Sequence, residues 1–340
     1  MSGKMLGKAS VSYDKPVYIR NSASVVGKKE GEGPLGLLFD YVGDDDMFGC
    51  NTWEEAESTL QKDAIYMALK KAVMEPQQIR FLCAGDLLGQ SMASSFGVAS
   101  FNIPLIGLYG ACSTCGEGLM VASMLISAGY ADTAVSVTSS HFASAEKEFR
   151  YPLEYGNQRP LSASWTVTGS GAFVLANDIG SGARARITGV TVGTITDYGL
   201  KDSMNMGACM APSAASTIKM HLEDFGLQPD HYDKIITGDL GSVGSKILLD
   251  LLRKEGYEIG DRHMDCGIEI YDAATQDTHA GGSGCGCSAV TLSAYILKQL
   301  EEHNWNRVLF MPTGALLSKT SFNEGMTVPG IAHAVVIESI

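Results

Sequence analysis

Along the 340 residues, short uncharged apolar runs alternate with stretches whose apolar positions recur every three to four residues. IRFLCA at 79–84, PLIGLY at 104–109 and TAVSVT at 133–138 have the length and apolar content of buried strands. Between them, Thr52 and Glu55 form a capping box, and Ala56, Leu60, Ala64, Met67 and Ala68 keep helical spacing to about residue 74. Pro76 ends that helix. The small residues of 91–99 predict a second helix, and 113–128 a third, with Gly129 at its C-terminal left-handed position.

Residues 141–164, HFASAEKEFRYPLEYGNQRPLSAS, read as a loop, and TVTGSGAFVLAND at 166–178 as a glycine turn and a strand. From about Ala185 the pattern repeats: a strand in RITGVTVGTITD, a helix over 211–225, a strand at 234–237 and a helix over 245–255. A glycine-rich turn, GGSGCGCSAV, then feeds a helix to about residue 302, and strands follow at 305–311 and 331–339. Two halves, 1–180 and 181–340, thus echo each other as strand, glycine turn, buried helix, strand, the pattern of an internal duplication. Parallel strands joined by buried helices call for a layered α/β fold, αβαβα. The Gly-, Ala- and Ser-rich helices after Cys112 and Cys285 are predicted to lie against each other between the sheets.

Composition narrows the function. With 45% hydrophobic and 19% charged residues the chain is globular, and 39 glycines favour α/β architecture over a helical bundle. A net charge of −13 without a basic patch argues against nucleic acid or an anionic membrane surface as a direct partner. MSGKMLGKASVSYD lacks the apolar core of a secretory signal, and the uncharged stretch 87–116 is broken by Ser, Asn, Gln, Gly and Pro, so no membrane span is expected. Eight cysteines are too few for a disulfide scaffold, which places the chain in a reducing, cytoplasmic setting. CSTC at 112–115 and CGC at 285–287 could bring four thiolates to zinc, but 113–118 reads as a helix start instead of a zinc knuckle, and no metal is expected there. DDD at 44–46 lacks the spacing of a calcium loop and reads as a solvated turn.

The candidate chemistry centres on YGACSTCGEGL at 109–119. Cys112 stands where a strand gives way to a helix, and a helix N-terminus offers free N–H donors that favour a thiolate or bind an anion. Ligands collect at the carboxyl ends of strands, which nominates Ser139, Ser140 and His141, with Asp86 and Gln90 as weaker cases. Ser113 belongs to the same helix end, Asp239 is expected to face the cleft, and Arg159 at its mouth could fork a ligand carboxylate.

The run IPLIGLYGACSTCGEGLMVASMLISAGYADTAVSVTSSH resembles the nucleophile segment of the thiolase and ketoacyl-synthase superfamily, and RPLSASWTVTGSGAFVLAND resembles the segment closing that superfamily's first half. Over its whole length the chain is more closely similar to a family of soluble, thiolase-like sporulation proteins. That resemblance implies binding of dipicolinic acid (pyridine-2,6-dicarboxylate), free or as its calcium chelate, and its loading into the developing spore. It also implies membrane subunits of a transport system as partners, a place in the cytoplasm or on the inner spore membrane, and pairing into a homodimer.

The departures from the superfamily pattern matter as much. The superfamily supports its cysteine with two His or Asn groups; GDLGSVG places Gly238 at one of these positions and GGSGCGCSAV places Cys285 at the other. In MTVPGIAH, Met326 stands for the thiolases' second cysteine. Loss of one oxyanion donor costs about 10²–10³ in rate and loss of a general base about 10²–10⁴. The expectation is a non-catalytic binding protein with a relict nucleophile, Cys112, and no cofactor beyond Ca²⁺ carried by the ligand. The rival readings are an acyl-transfer enzyme that uses His279 as an unusual base, and a scaffold subunit of a membrane transport complex.

Overall fold

The computed structural model describes residues 3–149, 159–180 and 182–340. The first half contains β1 (Ser10–Val26), α1 (Trp53–Ala72), β2 (Phe81–Gly85), α2 (Met92–Val98), β3 (Leu105–Gly107), α3 (Thr114–Ser127), β4 (Thr133–Ser140), α4 (Phe142–Phe149) and β5 (Gly169–Ala176). The second contains β6 (Ala185–Thr191), α5 (Met206–Phe225), β7 (Lys234–Thr237), α6 (Gly241–Lys254), β8 (His263–Asp265), α7 (Cys285–Thr291), β9 (Arg307–Met311) and β10 (Ala334–Glu338). A π-helical turn, Leu292–Ile296, and a last α-helical stretch, Leu297–Glu301, prolong α7.

Half of the expected capping box forms: the Thr52 hydroxyl accepts from the Glu55 N–H at 3.2 Å, but the Glu55 carboxylate accepts from the Asn51 N–H and not from Thr52, and Val73 in the left-handed region closes α1. Two predictions are corrected, and one strand is added to those the pattern predicts. The long strand β1 was hidden by Asp14, Lys15 and Pro16; these fall where its register against β6 shifts, between Ser12 and Val17, so the strand tolerates a proline there. The loop expected over 141–164 begins as α4, while 150–158 lie outside the described residues. Helix α5 starts at Met206 instead of 211, capped by Asn205, because Pro212 is inside the helix and does not open it.

Ten strands form one hydrogen-bonded path, β8-β7-β9-β10-β6-β1-β5-β4-β2-β3. Each half has the same order read from its outer edge, third, second, fourth, fifth, first, with the second strand parallel to the third and fourth and the fifth antiparallel to both neighbours. The two first strands, β1 and β6, pair antiparallel and join the halves, so the hydrogen-bond ladder runs on between the two sheets.

The glycine-rich central helices are buried as predicted. Helix α3 packs on β2 and β4 and also on β10 of the other half, while α7 packs on β4 and β5. The approach is close enough to require glycine: a Cβ on Gly116 of α3 would lie 2.9 Å from Pro312 Cδ, and one on Gly171 of β5 would lie 2.7 Å from the Ala289 carbonyl of α7.

Candidate functional site

Cys112 lies in the turn between β3 and α3. Ala111 just before it takes a positive φ of 50°, uncommon for a residue with a Cβ, and the turn is pinned locally. The Ser113 N–H donates to the Gly110 carbonyl and the Thr114 N–H to the Ala111 carbonyl, and the Ser113 hydroxyl also donates to Gly110 at 2.6 Å. The Ser113 hydroxyl and the Ser113 and Thr114 N–H groups are therefore spent and do not wait for a ligand carboxylate.

What faces the sulfur is Asp239, from the loop after β7. Its carboxyl is buried, accepts from the Cys112 thiol, from the Gly284 N–H at 3.0 Å and from the Thr313 hydroxyl at 2.8 Å. Burial lifts this carboxyl from 3.8 to about 7. Burial, then the charge of Asp239, raises the Cys112 thiol well above its ordinary 9.0, so the thiolate expected at a helix end is disfavoured. Ser283 adds a hydrogen bond to the same sulfur, and Cys285, Leu87 and Ala145 pack with it in one buried cluster. The Cys285 thiol donates to the Ser139 carbonyl at 2.8 Å.

Iodoacetamide at pH 7.5 is accordingly expected to label the partly exposed Cys50 well before Cys112 in the folded chain. Peptide mass spectrometry over time reads this, and preferential labelling of Cys112 would contradict the environment described.

A cavity of about 20 Å³ opens over Cys112, edged by Leu87, Glu146, Thr166, Met206, Ser283 and Leu317. That volume accommodates roughly one water. Thr313, Ser283 and the α4 wall were not anticipated; Thr313 follows β9, and the rule that ligands gather at strand ends points there.

Of the nominated residues, Cys112, Asp239 and Cys285 come together. A Cβ on Gly238 would lie 2.9 Å from Pro312 Cα, so the loop excludes a side chain there, and the next residue, Asp239, turns its carboxyl to the Cys112 thiol. Ser139 donates to Glu57 and accepts from Gln61, and Ser140 donates to the Val167 carbonyl, so both hydroxyls are structural. His141 is buried; its Nδ1 accepts from the Ala143 N–H, which leaves Nε2–H to donate to the Asp46 carbonyl at 2.7 Å. Arg159 and His279 both engage Asp277, at 3.1 Å each, and neither lines the cavity. His279 is thus no base for Cys112. Asp86 is buried and held by Leu88 and Ser94, while Gln90 and Met326 are exposed. Among the described residues no group of three or more His, Cys, Asp or Glu is arranged to hold a metal, the cysteine pairs included. No helix among them is long and apolar enough to cross a membrane.

The family model for stage V sporulation protein AD matches residues 7–338. The chain belongs to the stage V sporulation protein AD family. A member from Bacillus subtilis (strain 168) is 45% identical over 335 residues, 98% of each chain. The family's thiolase-like fold shows in distant solved structures. Cerulenin-bound OleA of Xanthomonas campestris is 15% identical with a TM-score of 0.59, covering 99% of this chain and 98% of its own. Acat5 thiolase of Ascaris suum, in complex with coenzyme A, is 14% identical with a TM-score of 0.59, covering 96% and 100%. 3-Oxoacyl-[acyl-carrier-protein] synthase III of Aquifex aeolicus VF5 is 13% identical with a TM-score of 0.56, covering 95% and 99%. In this member of the stage V sporulation protein AD family, the cysteine elbow of that fold carries an aspartate against its sulfur.

Proposed function

We propose that the chain binds dipicolinic acid as its calcium chelate over Cys112, serves its uptake into developing spores, and does not perform the superfamily's carbon–carbon chemistry. The observation that carries this reading is the charge of the cavity: Glu146 and the hydroxyl residues Thr166 and Ser283 line it, Asp239 hydrogen-bonds the Cys112 thiol in its lining, and no Lys or Arg lines it among the described residues. Free pyridine-2,6-dicarboxylate is a dianion and finds no cationic side chain among the described residues of this lining. Its calcium chelate is neutral and leaves coordination positions that carboxylate oxygens suit. A cavity of about 20 Å³ admits the chelate only if α4 parts from the Ala315–Leu317 segment, so binding is expected to be slow and accompanied by movement of α4. Calorimetry of dipicolinate added to protein with and without saturating Ca²⁺ tests this: heat is expected only with Ca²⁺. No heat in either case overturns the reading, and equal affinity in both overturns the chelate as the ligand.

A second reading, acyl transfer, draws support from the Asp239–Cys112 hydrogen bond, which would make Asp239 the base in place of His279. A stable acyl adduct on Cys112 in intact mass after exposure to acyl-CoAs would favour it over the binding role. For partners we propose membrane subunits of the same transport system, with the chain peripheral to the inner spore membrane, and a second copy paired through the free edge of β3, where Leu105 and Tyr109 are exposed. Light scattering at the mass of a single chain would remove the second copy, and failure to co-purify with those subunits would remove the first.

A further inference from the structure

Among the described residues two buried carboxylate oxygens have no hydrogen-bond partner, Glu117 Oε2 in α3 and Glu30 Oε2, and the second lies beside another carboxylate. Glu30 is fully buried; its Oε1 accepts from the Tyr271 hydroxyl and from the Thr168 N–H at 2.9 Å, while its Oε2 accepts from nothing. Asp46, last of the DDD run, sends Oδ1 into the same space. A Cβ placed on Gly27 would sit 2.8 Å from Glu30 Oε2 and 2.8 Å from Asp46 Oδ1. Gly27 has φ −76° and ψ 173°, a conformation open to every residue, so glycine here serves close approach by its neighbours and not the backbone. The two carboxylate oxygens converge on the same side of Gly27, with the Thr168 methyl beside them at 3.0 Å. Lys29, next in sequence to Glu30, supplies no counter-charge, because its Nζ donates to the Gln276 carbonyl at 2.6 Å and lies over the Trp165 ring.

We infer that Gly27, Glu30 and Asp46 form a site for a hard divalent cation of the calcium or magnesium class, with Glu30 Oε2 and Asp46 Oδ1 as its protein ligands. Oxygen donors select such ions, and a site with two carboxylates leaves its remaining positions to water and binds weakly, about 10⁻⁴–10⁻³ M. Asp46 is only part-buried, which gives the ion a way in. The ion would replace a like-charge contact by an attractive one and tie together three parts of the fold. Glu30 is held by Tyr271 of the second half, and the Asp46 carbonyl holds His141, at the start of α4. Occupancy therefore braces the helix that walls the Cys112 cavity, independently of what that cavity binds.

The test uses the full chain after removal of metal by a chelator. Thermal melting with added Ca²⁺ or Mg²⁺ at about ten times the dissociation constant should raise Tm by about 2–4 °C. Tb³⁺ should show emission sensitised through Tyr271, displaced by Ca²⁺. Asp46→Asn and Gly27→Ala should remove both signals, the second by filling the space, whereas Asp44→Asn, an exposed neighbour, should keep both. Equal signals in Asp46→Asn and the unaltered chain would mean diffuse binding to an acidic surface and overturn the site. So would the absence of any metal-dependent change, which would leave a proton shared between the two carboxyls.

Discussion

Asp239→Asn is expected to make the protein more stable at pH 8 and a poorer ligand-binder. The buried carboxyl holds its proton up to about pH 7, against 3.8 in the exposed chain. Between those values unfolding releases a proton, so this group's stabilising contribution is complete below about pH 4 and is lost as pH rises to about 7. The difference corresponds to about 4 kcal/mol. Asparagine carries no such linkage; its Oδ1 can still accept from the Gly284 N–H, while its Nδ2 must donate to the Thr313 hydroxyl, which can accept in turn. Chemical denaturation from pH 4 to pH 8 should show the variant without about one proton's share of the wild-type slope, while Asp265, raised to about 6, still contributes its own. Affinity for the calcium chelate should meanwhile fall about ten- to hundredfold, the range for losing a contact to a charged group. In the unaltered chain that affinity should rise from pH 6 to pH 8 as Asp239 ionises, and in the variant it should not. Unchanged affinity would take Asp239 out of the site; an unchanged pH slope would mean that its carboxyl is ionised throughout.

Gly171→Val should strongly destabilise the sheet and the helix packed on it. The added Cβ would meet the carbonyl carbon, carbonyl oxygen and Cβ of Ala289 at 2.7–2.8 Å, and helix backbone cannot swing aside like a flexible side chain. Overpacking of a core typically costs about 1–3 kcal/mol, and more when backbone must move. A loss above about 3 kcal/mol is expected, seen as a melting temperature lower by roughly 6 °C or more. Gly107→Ala is the control, since nothing lies within 4 Å of its added carbon. If Gly171→Val melts with the parent, α7 does not rest on β5 as described. The effect belongs to the site as well, because α7 begins at Cys285, and moving the helix moves the cluster around Cys112.

The two glycine-rich central helices and most strands were legible because burial writes itself into sequence: uncharged runs of strand length, and small residues where helices must approach closely. Strand β1 was not, because Asp14, Lys15 and Pro16 interrupt its pattern, and the register shift that accommodates them depends on a partner strand far along the chain. Helix α4 was obscured by the Pro and Gly residues that follow it. The cysteine elbow was visible from a strand end running into a helix start, and Asp239 from its place after a strand.

The local sequence around Cys112 was enough to place a thiol at a helix end, and the chemistry of that helix end argued for a thiolate. Only the tertiary structure reversed this. Asp239, Ser283 and Gly284 lie more than a hundred residues away in sequence, yet packing brings them onto the same sulfur, where burial and the charge of Asp239 outweigh the hydrogen bonds from Ser283 and Gly284 and keep its proton on. The same holds for Ser139, Ser140 and His141, which local pattern put at a ligand's reach and long-range hydrogen bonds turned into framework. Short-range sequence determines which elements form and where they end. Which side of a group meets solvent, and which charge stands opposite it, depend on segments that meet only once the two halves have packed.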